Sequence, residues 1–262
     1  MSGDFATQVA VVTGGGKGIG RIIALALARE GADVLVVGRD AAALEETCAA
    51  IRTLGQRGIA VAADVTQPEQ VARLGATIDA ECAGQVDVLV TAAGTRDTQQ
   101  ATVDALDLAQ FDAVIQGNLN GTLLPVRCVL PFMKARRQGK IVAISGVFGL
   151  KGQPGHAAGC SSKWAVEGLV RVLAREMGPY NINVNAVCPG YVEGPRADAS
   201  LERMAAERGT LAQERRQALE AATALGRLST ADDVANAALF LASARARNIT
   251  GRDLIVDAGW ML

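Results

Sequence analysis

Seven short apolar runs alternate with longer segments of helical period along this chain, and no other feature limits its possible folds as tightly. Each run is bounded by Gly, Asp or Asn and is apolar almost throughout, as strands are when both faces of a parallel sheet are covered. The pattern predicts strands at residues 9–13, 33–37, 58–62, 86–91, 140–145, 182–187 and 254–256. It predicts helices at 21–30, 41–54, 68–81, 108–136, 161–177 and 231–241. Two starts are marked: Thr66 ahead of Pro68 in a first turn, and Thr230 followed three residues later by Asp233, close to a capping box. The expected architecture is α/β: one doubly wound domain over residues 1–262, a seven-stranded parallel sheet with helices on both faces. Residues 196–225, polar and glycine-poor, interrupt the alternation and read as a helical lid or as a solvated pair of surface helices.

Composition narrows the function classes. Half of the 262 residues are hydrophobic but only 3% are aromatic, and 29 glycines suit close packing of helices on a sheet. With 26 basic and 27 acidic side chains the net charge of -1 supplies no field to recruit nucleic acid or an anionic membrane, so neither partner is expected. The five cysteines form no C-x-x-C pair and His156 is the single histidine, so no metal site is expected. The opening MSGDFATQ shows no leader pattern and no apolar run reaches membrane-spanning length, which predicts a soluble, cytoplasmic protein with reduced thiols.

The first strand runs directly into T-G-G-G-K-G-I-G, residues 13–20. Gly14, Gly18 and Gly20 fall where a strand-to-helix turn must be tight and its backbone must approach a phosphate closely. The helix that follows, opening at Ile19, aims its unpaired N–H groups and positive dipole end at that spot, so the loop is expected to hold the pyrophosphate of a dinucleotide. An acid at the end of the second strand would accept from a ribose 2′-OH and select NAD. Gly38 stands there, followed by Arg39, and Lys17 can approach from the loop. Two cations without that acid favour NADP, with NAD left open because Asp40 lies one residue further on.

The glycine loop, Asp64-Val65 after the third strand, Ala93-Gly94 after the fourth, Asn118 in N-L-N-G, Lys163 in S-S-K-W-A-V-E-G, Pro189-Gly190 after the sixth and the ending ITGRDLIVDAGW together resemble the short-chain dehydrogenase/reductase family. The resemblance runs from Gln8 to Gly259 in the family's order. It implies a Rossmann-type sheet, a nicotinamide cofactor across the carboxyl ends of the strands, and usually a tetramer. By the same resemblance Asp64 and Val65 would contact adenine, Ala93 and Gly94 would line the cofactor cleft, and Lys163 would hold the nicotinamide ribose. Asn118 and Lys163 are the family's catalytic positions that this chain keeps.

The family's tyrosine, four residues before the lysine, falls at Gly159, and its serine, thirteen residues earlier, falls at Gly146. Ser145 points the other way along the strand end. Thr91-Ala92 replaces the family's pair of asparagines, and Gly194 stands where a threonine often holds the carboxamide. The first expectation is therefore a pseudoenzyme that keeps the dinucleotide pocket and partners an active homologue in a homo- or hetero-tetramer, built through the helices at 108–136 and 161–177. The alternatives are an active NAD(P)-dependent oxidoreductase with His156 or Tyr191 as its acid, and a lyase or isomerase on the same fold.

Overall fold

The computed structural model describes residues 3–98 and 100–262. Strands and helices alternate as β1 (Val9–Thr13), α1 (Gly18–Arg29), β2 (Asp33–Gly38), α2 (Ala41–Thr53), β3 (Gly58–Ala62), α3 (Pro68–Cys82) and β4 (Val88–Thr91). The chain continues with α4 (Leu108–Ile115), α5 (Gly121–Arg136), β5 (Gly139–Ile144), α6 (Ala157–Met177) and β6 (Ile182–Pro189), then α7 (Pro195–Arg208), α8 (Ala212–Ala221), α9 (Ala231–Ala242) and β7 (Asp253–Val256). All seven strands pair in parallel in the order β3-β2-β1-β4-β5-β6-β7. This is the Rossmann-type sheet, and its order reverses between β1 and β4, which opens a crevice at their carboxyl ends.

Alternation within each strand builds two cores. In β1, Val9 and Val11 join the layer under α3, α5 and α6, with Leu74, Val129 and Val170. Ala10 and Val12 face the layer under α1, α2 and α9, with Leu27, Ile51 and Val234. The amino ends of the central strands are pinned by Asp87, whose buried carboxylate accepts from Val9 N at 2.9 Å, Arg136 Nη1 at 2.8 Å and Gln85 Nε2 at 2.6 Å.

Helix starts follow the local chemistry. Thr230 and Asp233 form the full reciprocal box, Thr230 Oγ1 accepting from Asp233 N at 3.2 Å and Asp233 Oδ2 from Thr230 N at 2.8 Å. Thr66 does not cap α3. Its N–H and hydroxyl both turn back to Asp64 Oδ1, at 2.9 and 2.7 Å, and Gln67 takes the cap position. The single helix expected over 108–136 is interrupted by a π-helical turn at Gln116–Asn120. Gly117 lies so close to the Thr95 hydroxyl that a side chain there would strike it, so the helix yields where the loop after β4 presses on it. Helix α6 begins at Ala157, earlier than periodicity suggested, which places Gly159 inside its first turn.

The stretch 196–225 contains α7 and α8. Arg216 on α8 ties it to α7 through Asp198 at 2.6 Å and to the segment before α7 through Glu193 at 3.6 Å. Leu201 and Ala205 of α7 are buried, so this helix rests on the protein rather than standing away from it. No helix among the described residues is long and apolar enough to cross a membrane.

Candidate active site

The predicted dinucleotide residues gather at the carboxyl ends of the strands. Gly14 has φ +68°, and a Cβ there would lie 2.8 Å from the Ala92 carbonyl oxygen, so β1 and β4 meet through a glycine that no larger residue can replace without displacement. A Cβ on Gly20 would collide with the Gly14 carbonyl. These contacts close the turn and hold the first turn of α1 against it. The first intrahelical bond runs from Arg21 N to the Lys17 carbonyl, and Lys17 offers no side-chain cap. The N–H groups of Gly18, Ile19 and Gly20 are thus the helix's unsatisfied donors, aimed out of the sheet end.

Around this turn, Thr13 Oγ1 accepts from Ala93 N at 3.2 Å and fixes the Ala93-Gly94 segment beside β1. The Asp64 carboxylate is turned to Thr66, and Val65 is buried. Burial raises the Asp64 carboxyl, but its Thr66 hydrogen bonds and the nearby Arg39 charge bring it below the ordinary value. Arg39 is exposed at the end of β2. Lys17 is not held open for a ligand: its Nζ lies 2.6 Å from Asp40 Oδ2. The same Asp40 caps α2 through Ala43 N at 3.1 Å, so the acid one residue beyond Arg39 is already committed to a helix and a lysine. Pro189 ends β6, and Gly190 N donates to the Val256 carbonyl at 2.9 Å.

The second half of the cleft is made of side chains. Asn118, buried in the π-turn, accepts from Thr95 N through Oδ1 at 3.0 Å and donates through Nδ2 to Ser162 Oγ at 2.9 Å. Ser162 in turn donates to the Gly159 carbonyl at 3.0 Å. Asn118 therefore ties the loop after β4 to the first turn of α6. Lys163 reaches back and donates from Nζ to the Ile144 carbonyl at 3.0 Å, at the end of β5. Gly146 is extended, and a Cβ there would meet only the Pro189 carbonyl, at 3.8 Å. Gly159 is different: Asp97 crowds it, with Oδ2 accepting from Gly159 N at 2.9 Å.

His156, at the cap of α6, stacks on Phe148 with centroids 5.1 Å apart and planes 17° apart. Burial pulls its pKa below the ordinary value against the charge of Asp97, with Arg203 of α7 acting in the same direction as burial. The imidazole is accordingly neutral near pH 7. Tyr191 stands edge-on to Trp260 at 5.6 Å, and burial pushes its phenol up, away from the range in which it would ionise easily.

Comparison with known proteins places this geometry. The profile of the enoyl-(acyl carrier protein) reductase family matches residues 14–261. The chain belongs to the short-chain dehydrogenase/reductase family. It is similar to the short-chain reductase protein NovJ of Streptomyces niveus, 35% identical over 253 residues that cover 96% of this chain and 93% of that protein. It is similar also to the cis-4-hydroxycyclohexanecarboxylate dehydrogenase of Sinomonas cyclohexanicum, 36% identical over 260 residues and 99% of each chain. Among solved structures, NAD+-bound xylitol dehydrogenase superposes with a TM-score of 0.92 at 28% identity, covering 97% of this chain and 99% of that one.

The fold of this family implies a nicotinamide dinucleotide, and the chain's own cradle fits one: the crowded Gly14 and Gly20, the uncapped start of α1 and the fixed Ala93-Gly94 segment leave main-chain donors at the switch point. Sequence reasoning missed Asp97, Ser162, Phe148 and Trp260. The one available signal was an acid shortly after Ala93-Gly94, in T-R-D-T, on a loop leaving the carboxyl end of a central strand.

Proposed function

We propose that this chain binds a nicotinamide dinucleotide, NADP in preference to NAD, and does not by itself carry out tyrosine-dependent hydride transfer. It serves as a dehydrogenase-like subunit beside an active homologue. When bound, the nicotinamide supplies or accepts hydride; the protein must supply the proton to or from the substrate oxygen. The observation that carries the reading is glycine at both Gly146 and Gly159, so that neither residue presents a hydroxyl between Lys163 and the cleft. In this reading Gly14, Gly18, Ile19 and Gly20 hold the pyrophosphate, Asp64 and Val65 flank the adenine, and Ala93, Gly94, Pro189 and Gly190 line the path to the nicotinamide. Arg39 pairs with the 2′-phosphate, and Lys17 joins it when the phosphate competes with Asp40.

Lys163 keeps a place for the ribose hydroxyls, while Asn118 positions the loop after β4. Losing a placed acid costs about 10²–10⁴ in rate, and losing the oxyanion partner costs a similar factor again. His156, neutral and stacked, and Tyr191, whose phenol burial makes harder to ionise, offer weak compensation. Exposed Trp164 and Val172 on α6 support that helix as the face that meets a partner subunit.

The test is a pair of measurements on the purified chain. Fluorescence titration should show NADPH binding more tightly than NADH. Nicotinamide absorbance should stay constant with a panel of secondary alcohols, ketones and acyl thioesters. Robust turnover by the chain alone would overturn the subunit reading, and failure to bind either nucleotide would overturn the cofactor assignment.

A further inference from the structure

We propose that Glu167 and Asp253 share one proton beneath the nucleotide cleft, and that its loss turns the pocket toward the oxidised nicotinamide, whose ring is cationic, over the reduced one. The proposal rests on the dinucleotide-binding reading above and adds a specificity-determining residue that touches no ligand.

The first support is the balance of charge. Glu167 of α6 and Asp253 of β7 lie within hydrogen-bonding reach of one another, and little of either side chain meets solvent. A single guanidinium faces both: Arg171 Nη1 stands 3.5 Å from Glu167 Oε2, and its Nη2 donates to Asp253 Oδ2. Nη1 is already committed to the Glu167 main-chain carbonyl, at 2.8 Å. Cys188 Sγ gives Oε1 a weak donor at 3.2 Å, whereas Glu167 Oε2 and Asp253 Oδ1 are enclosed with no donor among the described residues. Two ionised carboxyls would leave one charge uncompensated there, and one proton on the pair removes it.

The second support is position. The Glu167 carboxyl is where three elements of the nicotinamide half converge. Lys163 lies one turn before it on the same face of α6, and Lys163 Nζ donates to the Ile144 carbonyl at the end of β5. Ser145, next along that strand end and directly before Gly146, turns its hydroxyl to Glu167. Cys188 of β6 directly precedes Pro189-Gly190. The turn at Val147–Gly149 closes the other side: a Cβ on Gly149 would lie 3.0 Å from the Lys163 carbonyl oxygen and 3.2 Å from Glu167 Cγ.

The groups facing Glu167 are thus Asp253 of β7, Arg171 and Lys163 of α6, Cys188 of β6 and the Ser145 hydroxyl. Burial, and then Asp253, push its carboxyl up to about 7 against the hydrogen bonds from Ser145 and Cys188. Burial and the Glu167 charge push the Cys188 thiol up in turn, so it stays protonated. Glu167 is therefore the member of the cluster that changes charge near neutrality, while His156, pulled below its ordinary value by burial, changes at lower pH.

NADP+ and NADPH carry the same phosphates and differ by one positive charge on the nicotinamide ring. A negative charge arising at Glu167 acts on the two unequally and favours the oxidised form. By linkage, binding of NADP+ favours release of the proton.

The test is a pair of binding profiles for the full chain between pH 6 and 8.5. Fluorescence titration gives the NADPH dissociation constant, and displacement of NADPH gives that of NADP+. The ratio Kd(NADP+)/Kd(NADPH) is expected to fall about fivefold as pH rises through the titration of Glu167, the scale of unit charges a helical turn or two apart in a protein interior. Titration of the 2′-phosphate, common to both nucleotides, cancels in the ratio. Glu167→Gln cannot ionise and should keep the low-pH ratio throughout. Asp253→Asn removes the neighbouring carboxylate, so the step should persist with its midpoint moved to lower pH. A Glu167 that only packs α6 on the sheet would produce no step to move. Parallel profiles for the two nucleotides, a step that survives in Glu167→Gln, or a midpoint that Asp253→Asn leaves in place would each overturn the proposal and leave the cofactor reading standing. Absence of binding by either nucleotide would overturn the cofactor reading, and this proposal with it.

Discussion

The two ends of the cleft are built from different materials. Around β1, α1 and β2 the candidate dinucleotide cradle consists of main-chain groups, and its glycines also carry the fold: Gly14 lies against Ala92, and Gly20 against Gly14. Beyond β4 and β5 the cleft is shaped by side chains, and a Cβ on Gly146 would make only ordinary contact with the Pro189 carbonyl, at 3.8 Å. A cradle of backbone cannot be dismantled without disturbing the junction of β1 and β4. A catalytic hydroxyl can be lost with no consequence for packing. Under the proposed function, that asymmetry is what would let binding of a dinucleotide and its chemical use separate within one chain.

The largest expected effect comes from attacking the first material. Gly14→Val adds atoms where a Cβ already meets the Ala92 carbonyl, at a φ of +68°. Overpacking and a left-handed backbone together cost about 3 kcal/mol, roughly a hundredfold in an equilibrium constant. NADPH titration should show affinity weakened by about that factor, with a lower Tm. Gly146→Ser is the control from the second material. It should change stability by less than about 0.5 kcal/mol in urea melts and leave NADPH affinity within roughly twofold. A Gly146→Ser chain as damaged as Gly14→Val would end the distinction between the two halves.

The next effect lies beneath the side-chain half, on the sheet side of α6. Glu167 is buried one turn beyond Lys163; burial, and then the neighbouring Asp253 carboxylate, push it up to about 7. Arg171 stands 3.5 Å from its Oε2 but turns its other terminal nitrogen to Asp253, which takes much of the compensating charge. In an unfolded chain this carboxyl ionises near 4.3. Between that value and about 7 the folded protein holds a proton that the unfolded chain has lost. Stability should therefore fall as pH rises through this window, by up to about 1.4 kcal/mol per pH unit, and level off above it. Urea melts from pH 5 to 8 should show the decline in the native chain and a flatter profile in Glu167→Gln, which should be the more stable of the two at pH 8. Parallel profiles would mean that α6 does not rest on a protonated acid.

How much of this was legible beforehand follows the same division. The strands, their parallel sense and the cradle are encoded locally, in apolar runs and in glycines a few positions apart. The π-turn at Gln116–Asn120 was not legible, because it arises where Gly117 meets Thr95 of a distant loop. Asp97 was missed for the same reason: its meaning depends on Gly159, sixty-two positions away in the sequence. Lys17 was read as an open cation because the commitment of Asp40 to both Lys17 and the start of α2 is a matter of side-chain direction, which spacing does not reveal.

That last pairing carries the smallest prediction. Lys17 and Asp40 are both well exposed, their contact holds the lysine's pKa up and the acid's down, and such a pair competes weakly with a dianionic phosphate. Asp40→Asn keeps an oxygen to cap α2 and removes the charge that occupies Lys17. If Lys17 and Arg39 together read the 2′-phosphate, NADPH affinity should rise roughly threefold while NADH affinity stays level, since only NADPH carries the group that the released lysine would meet. A parallel rise for both nucleotides would instead trace the gain to general charge around the cradle, and would leave Arg39 alone as the residue that distinguishes them.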